Sequence, residues 1–421
     1  MNLVKTAGFG LLSAALLAGT AHAAPKTNLL SQWASGSDGA AIAKLGDMFT
    51  AAGGEWQTTS IAGHTADALA KLRADVVAGT PPPAVQLKGP EIAEWNQTGA
   101  MDSLDDIATK EGWDKVVAPQ LLPIMKPDGH WVAVPMNIHR INWFWGSVKG
   151  MAAAGVDSYP KTWDEFNADC DKAVAAGLVC LAHASFNWTD GIVFEDLVYG
   201  MNPDLYQKAF VEGNTDAMKS QDMIDAFKEM RLIQSKYMDP GIAGRDTDTA
   251  NQMMGTGKAL FFIMGDWNVG YLTAAGFKYG DDYTCAPTPR NDGKPGFILN
   301  ADSVAFFKQS DPDFEAGSQL LAHLIMSPDF QYIFNQAKGS IPARTDVDIS
   351  KGFNPCQVES QKDLQASIDA GTLVNSMSQN MTILQKYRAA VLDVITKFIN
   401  TPDMTPEDAA QQMSDGVAAQ Q

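Results

Sequence analysis

Residues 27–97 alternate short apolar segments with stretches of helical periodicity, and this alternation restricts the fold more than any other feature of the chain. Residues 27–33, 56–61 and 84–87 have the composition of strands. Residues 40–52 and 65–78 carry apolar side chains at the three-to-four-residue spacing of a helix. Three strands separated by two helices are typical of a parallel sheet with crossover helices. The sequence therefore predicts an α/β fold.

Two side chains in this region stand where a predicted strand ends. Trp33 closes the first strand and Lys88 follows the third. In open α/β sheets, ligands bind in the crevice beyond the carboxyl ends of the strands. Trp33 could instead cap the core, and Lys88 could be a solvated surface charge. Both are therefore candidate ligand contacts with a structural alternative.

A further strand end lies within residues 257–267 (GKALFFIMGDW). The apolar run 259–264 predicts a buried strand, which is followed by a glycine and then by Asp266 and Trp267. A carboxylate beside a broad aromatic face suits a sugar, which has a ring of hydroxyls and patches of C–H groups. A tryptophan that closes a strand is also often a core residue. The other strand ends strengthen the hypothesis of a binding site.

Residues 128–146 predict a turn, a strand at 131–134 and an aromatic strand at 141–145. Most of the aromatic side chains there are expected in the core. Pro135 lies between the two strands and suggests a crossover. The short polar side chains of Asn137 and His139 follow this proline and are the better candidates to face a cleft.

Residues 1–23 have the features of a cleavable secretory signal peptide. Lys5 supplies a positive start, residues 7–19 an apolar segment, and residues 21–23 (AHA) a small-x-small cleavage site. The apolar segment is too short to span a bilayer. No cysteine occurs before Cys170, so no lipid-attachment cysteine follows the signal. We expect a protein that is cleaved near Ala23, soluble outside the cytoplasm and without a direct membrane anchor.

The charge of the chain excludes several classes of partner. The 421 residues include 31 basic and 49 acidic side chains, for a net charge of −18. Removal of the predicted signal peptide takes away one lysine and makes the balance more negative. Such a charge argues against nucleic acid and against anionic membrane surfaces. It also disfavours an anionic ligand, although a local site could compensate.

The four cysteines of the chain allow three pairings. In an oxidising compartment we favour the local pair Cys170 and Cys180, which leaves Cys285 and Cys356 as a long-range clamp. Four buried thiols are the alternative. No CxxC motif indicates redox chemistry.

The sequence contains no motif that requires a cofactor, a metal or a catalytic nucleophile. No two histidines outside the signal peptide have metal-ligand spacing, and there is no HExxH, nucleophile elbow or dinucleotide fingerprint. We therefore predict a protein that is not an enzyme and that has neither metal nor cofactor. A secreted carbohydrate-active enzyme is the rival hypothesis, because paired carboxylates need no fixed spacing in sequence.

Several stretches together resemble one family, the extracytoplasmic sugar-binding proteins of bacterial ABC transporters (the maltose-binding-protein-like class). The resemblance covers nearly the whole chain after the signal peptide. The resemblance is seen in residues 160–166 (PKTWDEF), 257–267, 286–289 (APTP) and 338–344 (KGSIPAR). Residues 86–92 (QLKGPEI) and 137–143 (NIHRINW) are more specific and resemble the periplasmic glucose-binding proteins of proteobacteria.

This resemblance implies a type II periplasmic binding protein fold with two α/β lobes, each a mostly parallel sheet flanked by helices, and a ligand cleft between them. It places the first lobe at residues 24–133 plus 287–345 and the second at 134–286 plus 346–421. It implies a monomeric periplasmic protein that captures a neutral sugar, glucose or a similar monosaccharide, and delivers it to a membrane ABC permease. A disaccharide or glucoside is the alternative ligand.

The resemblance also implies roles for individual residues. Trp33 and Trp267 would face the sugar from opposite lobes. The charged side chains of Lys88, Asp302 and Lys338 would form hydrogen bonds with the hydroxyls of the sugar. Asp38, near the first turn of the chain, would supply a further carboxylate. Together with the candidates taken from strand ends, the predicted ligand-binding residues are Trp33, Asp38, Lys88, Asn137, His139, Asp266, Trp267, Asp302, Lys338 and Gln379.

The chain departs from the glucose-type pattern at two presumed sugar contacts. Glucose-type proteins have a pair of tryptophans where this chain has Trp33 and Ala34, and a histidine where it has Gln379. Glutamine can still donate and accept hydrogen bonds. Small Ala34 could leave room for a second sugar ring. These two positions therefore bear on the size of the ligand.

Overall fold

A computed structural model describes residues 24–33, 36–61 and 65–421, which form a two-lobed α/β protein. The predicted signal peptide and Ala34 lie outside the described residues. The strands are Lys26–Ser31 (β1), Glu55–Ser60 (β2), Ala84–Leu87 (β3), Ala133–Pro135 (β4), His139–Arg140 (β5), Trp143–Ser147 (β6), Val179–Ala182 (β7), Ala259–Ile263 (β8), Tyr283–Pro287 (β9), Phe297–Asn300 (β10), Ser303–Phe306 (β11) and Leu373–Asn375 (β12).

Helices cover these sheets. The α-helices of the described residues are Gly36–Ala51, Thr65–Val77, Pro90–Gln97, Asp105–Glu111, Leu122–Met125, Val148–Ala154, Trp163–Ala175, Asn187–Met201, Pro203–Tyr206, Thr215–Met218, Gln221–Leu232, Thr247–Gly255, Asn268–Ala274, Pro312–Met326, Pro328–Lys338, Pro355–Asp369, Gln385–Asn400 and Pro406–Ala418. Two helices continue as π-helical turns at Gln207–Val211 and Ile233–Tyr237, and 3₁₀ turns occur at Trp113–Lys115 and Pro127–Gly129. None of the helices in this part of the chain has the length and apolarity that crossing a membrane requires.

The predicted alternation of strands and helices at the start of the chain is confirmed. β1 pairs in parallel with both β2 and β3, and the full sheet has the order β2-β1-β3-β11-β4. Leu45 and Phe49 of the helix Gly36–Ala51 are buried in the core against this sheet. Their four-residue spacing is the pattern that predicted the helix. Burial of this apolar face, rather than helix propensity, accounts for most of the helix's stability.

A second sheet has the order β7-β8-β6-β9, in which β7 is parallel to β8 and β6 is antiparallel to both of its neighbours. β8 is buried along its whole length, as its apolar run predicts. β6 begins at Trp143, two residues after the predicted start. The reason is that Asn142 accepts a hydrogen bond from the backbone N–H of Ile298 at 2.9 Å and so belongs to the connection between the lobes.

Three short strands form a small sheet between the two large ones, which we call the crossover sheet. It has the order β12-β10-β5. Core residues of the first sheet extend to Ile138, and those of the second begin at Ile141. Since β5 lies between these two residues, the chain passes from one core to the other at this sheet.

The favoured disulfide pairing is confirmed. Cys170 and Cys180 join the helix Trp163–Ala175 to β7 across 10 residues of sequence. Cys285 and Cys356 join β9 to the helix Pro355–Asp369 across 71 residues. The alternative of four buried thiols is wrong.

Candidate functional site

A cleft of about 360 Å³ lies beside the crossover sheet and between the two cores. Pockets of roughly 300–1,000 Å³ are typical of small-molecule sites. Predicted ligand-binding residues from distant parts of the chain line it together: Trp33, Asp38, Lys88, His139, Trp267, Asp302, Lys338 and Gln379. A wider, open depression of about 740 Å³ near residues 79–83 contains none of the predicted residues.

Lys88 and Asp302 form an ion pair on one wall of the cleft. Lys88 follows β3, and its Nζ lies 2.6 Å from Oδ1 of Asp302, which stands between β10 and β11. The same Nζ donates to Oδ1 of Asn300 at 3.4 Å. Burial opposes ionisation of Asp302, but Lys88, together with the nearby histidine and lysine of the cleft, holds its pKa well below the usual range. Asp302 is therefore ionised, and its carboxylate can accept a charge-assisted hydrogen bond from a hydroxyl.

A second ion pair joins Lys338 and Asp38. Asp38 lies in the first turn of the helix Gly36–Ala51, and Lys338 is the last residue of the helix Pro328–Lys338. Each charge complements the dipole of its own helix. The Lys338 Nζ also lies 4.8 Å from the ring centroid of Trp33, which is 7% exposed and stacks on Phe334. This wall therefore combines an aromatic ring with a cation and a carboxylate.

His139 lies between two carboxylates. Its Nδ1 bonds Asp266, and its Nε2 lies 3.1 Å from Oδ2 of Asp302. Asn137 and Asp266 do not line the cleft. Asp266 contacts Nδ1 of His139, and Asn137 contacts Nε2 and also donates to Asp302 at 2.8 Å. Burial alone would lower the pKa of His139, but the two carboxylates outweigh it and raise this pKa.

The raised pKa of His139 predicts how stability depends on pH. The charged imidazole is stabilised in the folded state, and this stabilisation is fully present below the unfolded-state pKa of histidine, about 6.5. It is lost as pH rises through the higher folded-state pKa. We therefore expect the stability advantage of the wild type over His139→Gln to shrink above about pH 6.5, by at most about 1.4 kcal/mol per pH unit. Urea unfolding at about pH 6, 7.5 and 9 measures it. An advantage that stays constant over this range would contradict the prediction.

A further part of the cleft is built around Trp267, which belongs to the second core and is 9% exposed. Its ring meets the edge of His139 at 5.2 Å between centroids and lies 6.2 Å from the ring of Trp188. Trp188 also stacks on Phe186, at 5.9 Å and an interplanar angle of 11°. The aromatic surface therefore extends from the cleft towards solvent, where Phe186 is 38% exposed.

Several residues of this cleft were not predicted from the sequence: Gln32, Ala66, Asn187, Trp188, Tyr271, Asn300, Gln385, Arg388, Ala389 and Leu392. Asn187 and Trp188 come shortly after β7, so the rule that ligands lie beyond strand ends would have found them if it had been applied to that strand. Arg388 lies in the first turns of a long amphipathic helix, where a charged residue ordinarily indicates a solvated face. No local signal distinguishes it.

Two lobes joined by a crossover sheet, with a polar and aromatic cleft at their junction, define a protein of the periplasmic binding protein class. Residues 44–355 match the family described as "Bacterial extracellular solute-binding protein". The chain belongs to this family, so the predicted membership of the ABC solute-binding class is confirmed. Members of the family are binding proteins and not enzymes.

Proteins similar to this chain include both named relatives and solved structures. A "Probable sugar-binding periplasmic protein" of Brucella suis biovar 1 (strain 1330) is 37% identical over 424 residues, which cover 99% of each chain. The structure of a "Chitin oligosaccharide binding protein" matches with a TM-score of 0.81 at 18% identity, covering 94% of this chain and 98% of that one. The solute receptor AcbH, described as having an exclusive preference for β-D-galactopyranose, matches with a TM-score of 0.75 at 17% identity and the same coverage. The two structures establish the fold alone.

Proposed function

We propose that this protein is a periplasmic sugar-binding protein that captures a neutral monosaccharide, glucose or a similar sugar, and delivers it to a membrane ABC permease. The proposal rests on one observation: two ion pairs and two aromatic rings line the same cleft. The ion pairs are Lys88 with Asp302 and Lys338 with Asp38, and the rings are those of Trp33 and Trp267. Fixed charges bind hydroxyls strongly, and aromatic rings pack against the C–H face of a sugar.

The site needs no cofactor, because binding alone performs the function. The expected boundaries at residues 134 and 287 shift to the crossover sheet: we place the first lobe at residues 24–138 plus 297–345 and the second at 139–296 plus 346–421, since β4 and Ile138 belong to the first sheet and core and β9 belongs to the second sheet. Glu91 of the first lobe accepts a hydrogen bond from the backbone N–H of Gln385 in the second at 2.8 Å, so the lobes touch beside the cleft. A sugar that contacts both lobes favours the closed state by its difference in affinity for the closed and open states. The permease would then recognise the closed, loaded form.

The cleft of about 360 Å³ can hold a single sugar ring, and one observation favours a longer ligand. The rings of Trp188 and Phe186 continue the aromatic surface of Trp267 outwards. A disaccharide or glucoside could place its second ring against them. This is the second candidate ligand, and it keeps the same transport role.

The predicted signal peptide at residues 1–23 and the relatives named as periplasmic support a location in the periplasm. We propose that cleavage near Ala23 releases a monomer into the periplasm. The two disulfides suit that compartment, because disulfides persist where the environment is oxidising.

Isothermal titration tests the ligand. The mature protein is unfolded to remove any retained sugar, refolded, and titrated with glucose, galactose, xylose, mannose, maltose and trehalose. We expect a monosaccharide to bind most tightly. Tighter binding of maltose or trehalose would replace the first candidate by the second. No heat with any sugar would overturn the proposal, and hydrolysis of an aryl glycoside would point to the rival enzyme.

Replacing Trp33 with alanine tests the aromatic contact. We expect the affinity for the best sugar to fall roughly 10- to 100-fold, because the variant loses apolar contact area and stacking. The matched control is Trp56→Ala, which removes a half-buried indole that packs on Phe49 outside the cleft. Titration of both variants should show a loss for the first only. Equal affinities in the two variants would exclude Trp33 as a sugar contact.

A further inference from the structure

Arg388 presents a guanidinium to the cleft from the helix Gln385–Asn400. Two hydrogen bonds hold the side chain in place. Nε donates to the backbone carbonyl of Ser378 at 2.7 Å, and Nη1 donates to Oε1 of Gln385 at 3.0 Å. The planar fork is thus oriented before any ligand arrives, which reduces the entropy lost on binding.

The remaining donor capacity of Arg388 is not used within the described residues. Nη2 makes no hydrogen bond there, and the guanidinium forms no ion pair, whereas Lys88 and Lys338 of the same cleft each have a carboxylate partner. Burial without such a partner lowers the pKa of Arg388 to about 10, although the charge of Glu195 opposes this. Nη2 is therefore open to the cleft, where a ligand oxygen can accept its hydrogen bond.

Gln379 supplies an acceptor on the same side of the cleft. Its Nε2 donates to Oγ of Ser378 at 3.3 Å, and its Oε1 has no hydrogen-bond partner among the described residues. Both Gln379 and Arg388 therefore attach to the turn at Ser378. A hydroxyl, which donates one hydrogen bond and accepts others, matches an amide oxygen beside a guanidinium.

The turn itself is held by a buried carboxylate. Glu195 is fully buried and accepts hydrogen bonds from Oγ of Ser376 at 2.7 Å, from the backbone N–H of Met377 at 2.9 Å and from that of Ser378 at 3.2 Å. These bonds fix the segment that follows β12. Glu195 thus positions the Ser378 carbonyl that accepts the hydrogen bond from Arg388.

We propose that Arg388 is a specificity-determining ligand contact, whose Nη2 donates a hydrogen bond to one hydroxyl of the sugar while Oε1 of Gln379 accepts from that hydroxyl or its neighbour. The inference rests on the proposed function and names a contact within the same site. A hydroxyl, rather than a carboxylate, is the group expected, because the chain is strongly acidic overall.

The test compares Arg388→Met with Lys386→Met. Lys386 lies one residue into the same helix, is exposed, and donates to the carbonyl of Gln420. Each substitution removes one positive charge near the start of the helix. We expect the affinity for glucose to fall roughly 10- to 100-fold in Arg388→Met, because the loss of one hydrogen bond from a charged donor changes affinity by that factor. In Lys386→Met we expect a change of less than about twofold, since Lys386 lies outside the cleft.

A series of deoxy sugars separates a direct contact from a structural effect. Wild type and Arg388→Met are titrated with glucose and with its 1-, 2-, 3-, 4- and 6-deoxy forms. We expect one deoxy form to bind both proteins with nearly equal affinity, because it lacks the hydroxyl that Arg388 contacts. The other forms should retain the full difference between the two proteins, since interaction energies add when sites are independent.

Three outcomes would overturn the inference. One is an equal loss for every deoxy form, which would mean that Arg388 acts on the shape of the cleft. Another is a wild-type preference for glucuronate over glucose, which would mean that Arg388 recognises a carboxylate. The third is unchanged glucose affinity in Arg388→Met. If Arg388→Met does not fold, as judged by circular dichroism, Arg388→Gln, which also removes the charge, replaces it with the same expectations. If another sugar of the titration series binds best, that sugar and its deoxy forms replace glucose in this test, and absence of binding of every sugar to the wild type would instead refute the proposed function.

Discussion

Replacing Asp302 with alanine is expected to abolish sugar binding and to lower the free energy of unfolding by about 3–5 kcal/mol. Its carboxylate contacts Lys88 at 2.6 Å, Asn137 at 2.8 Å and His139 at 3.1 Å, and all four residues are buried. The substitution leaves the buried Lys88 without its counter-ion and removes one of the two carboxylates beside His139. Urea unfolding measures the stability loss, and titration with the best sugar measures the loss of binding.

The control for Asp302 is an Asp–His pair of similar geometry on the surface of the same lobe. Asp105 lies 2.7 Å from Nδ1 of His130, with both side chains exposed. Exposed ion pairs are worth about 0–1 kcal/mol. Asp105 also accepts a hydrogen bond from the backbone N–H of Trp131 at 2.8 Å, so we expect Asp105→Ala to cost about 1–2 kcal/mol and to bind sugar normally. If Asp302→Ala also lost little stability and bound sugar normally, the stabilising role of the buried ion pair and the proposed contact of Asp302 with the sugar would both be wrong.

Replacing Cys285 and Cys356 together with alanine is expected to lower the free energy of unfolding by about 4 kcal/mol. This disulfide closes a loop of 71 residues, and the stabilisation that a disulfide provides through the unfolded chain grows with loop length. It also holds the helix Pro355–Asp369 against β9, beside the crossover sheet. Urea unfolding followed by tryptophan fluorescence measures the change.

The second disulfide provides an internal control, because its removal deletes the same atoms. Cys170 and Cys180 are separated by only 10 residues, which corresponds to about 3 kcal/mol on the same chain-entropy estimate. We expect the Cys170→Ala, Cys180→Ala variant to be more stable than the variant without the long-range bond. The reverse order would show that native packing around each bond, rather than loop length, sets its contribution.

Much of the candidate site follows from a rule about strand ends. Trp33, Lys88 and Trp267 each come directly or shortly after an apolar strand, and all three line one cleft. For Trp33 and Lys88 the rule works because β1 and β3 are parallel strands of one sheet and end at a common edge. Trp267 follows β8 of the second sheet and meets them in the cleft between the two cores. The rule does not reach Arg388, which enters the cleft from a helix. Nor does it separate Asp266 from the ligand contacts, since this carboxylate stands at a strand end but turns towards His139.

The sequence by itself determined the alternation of elements, the apolar strand β8 and the family, because the periods of helix and strand and the family motifs are local properties of the chain. Only the tertiary structure decided which polar groups meet. His139 and Asp302 are 163 residues apart and touch because β5 and β10 pair in the crossover sheet. Lys338 and Asp38 are 300 residues apart and pair because two helices end and begin at the same wall. Such contacts depend on how the elements pack, and no local pattern along the chain encodes that.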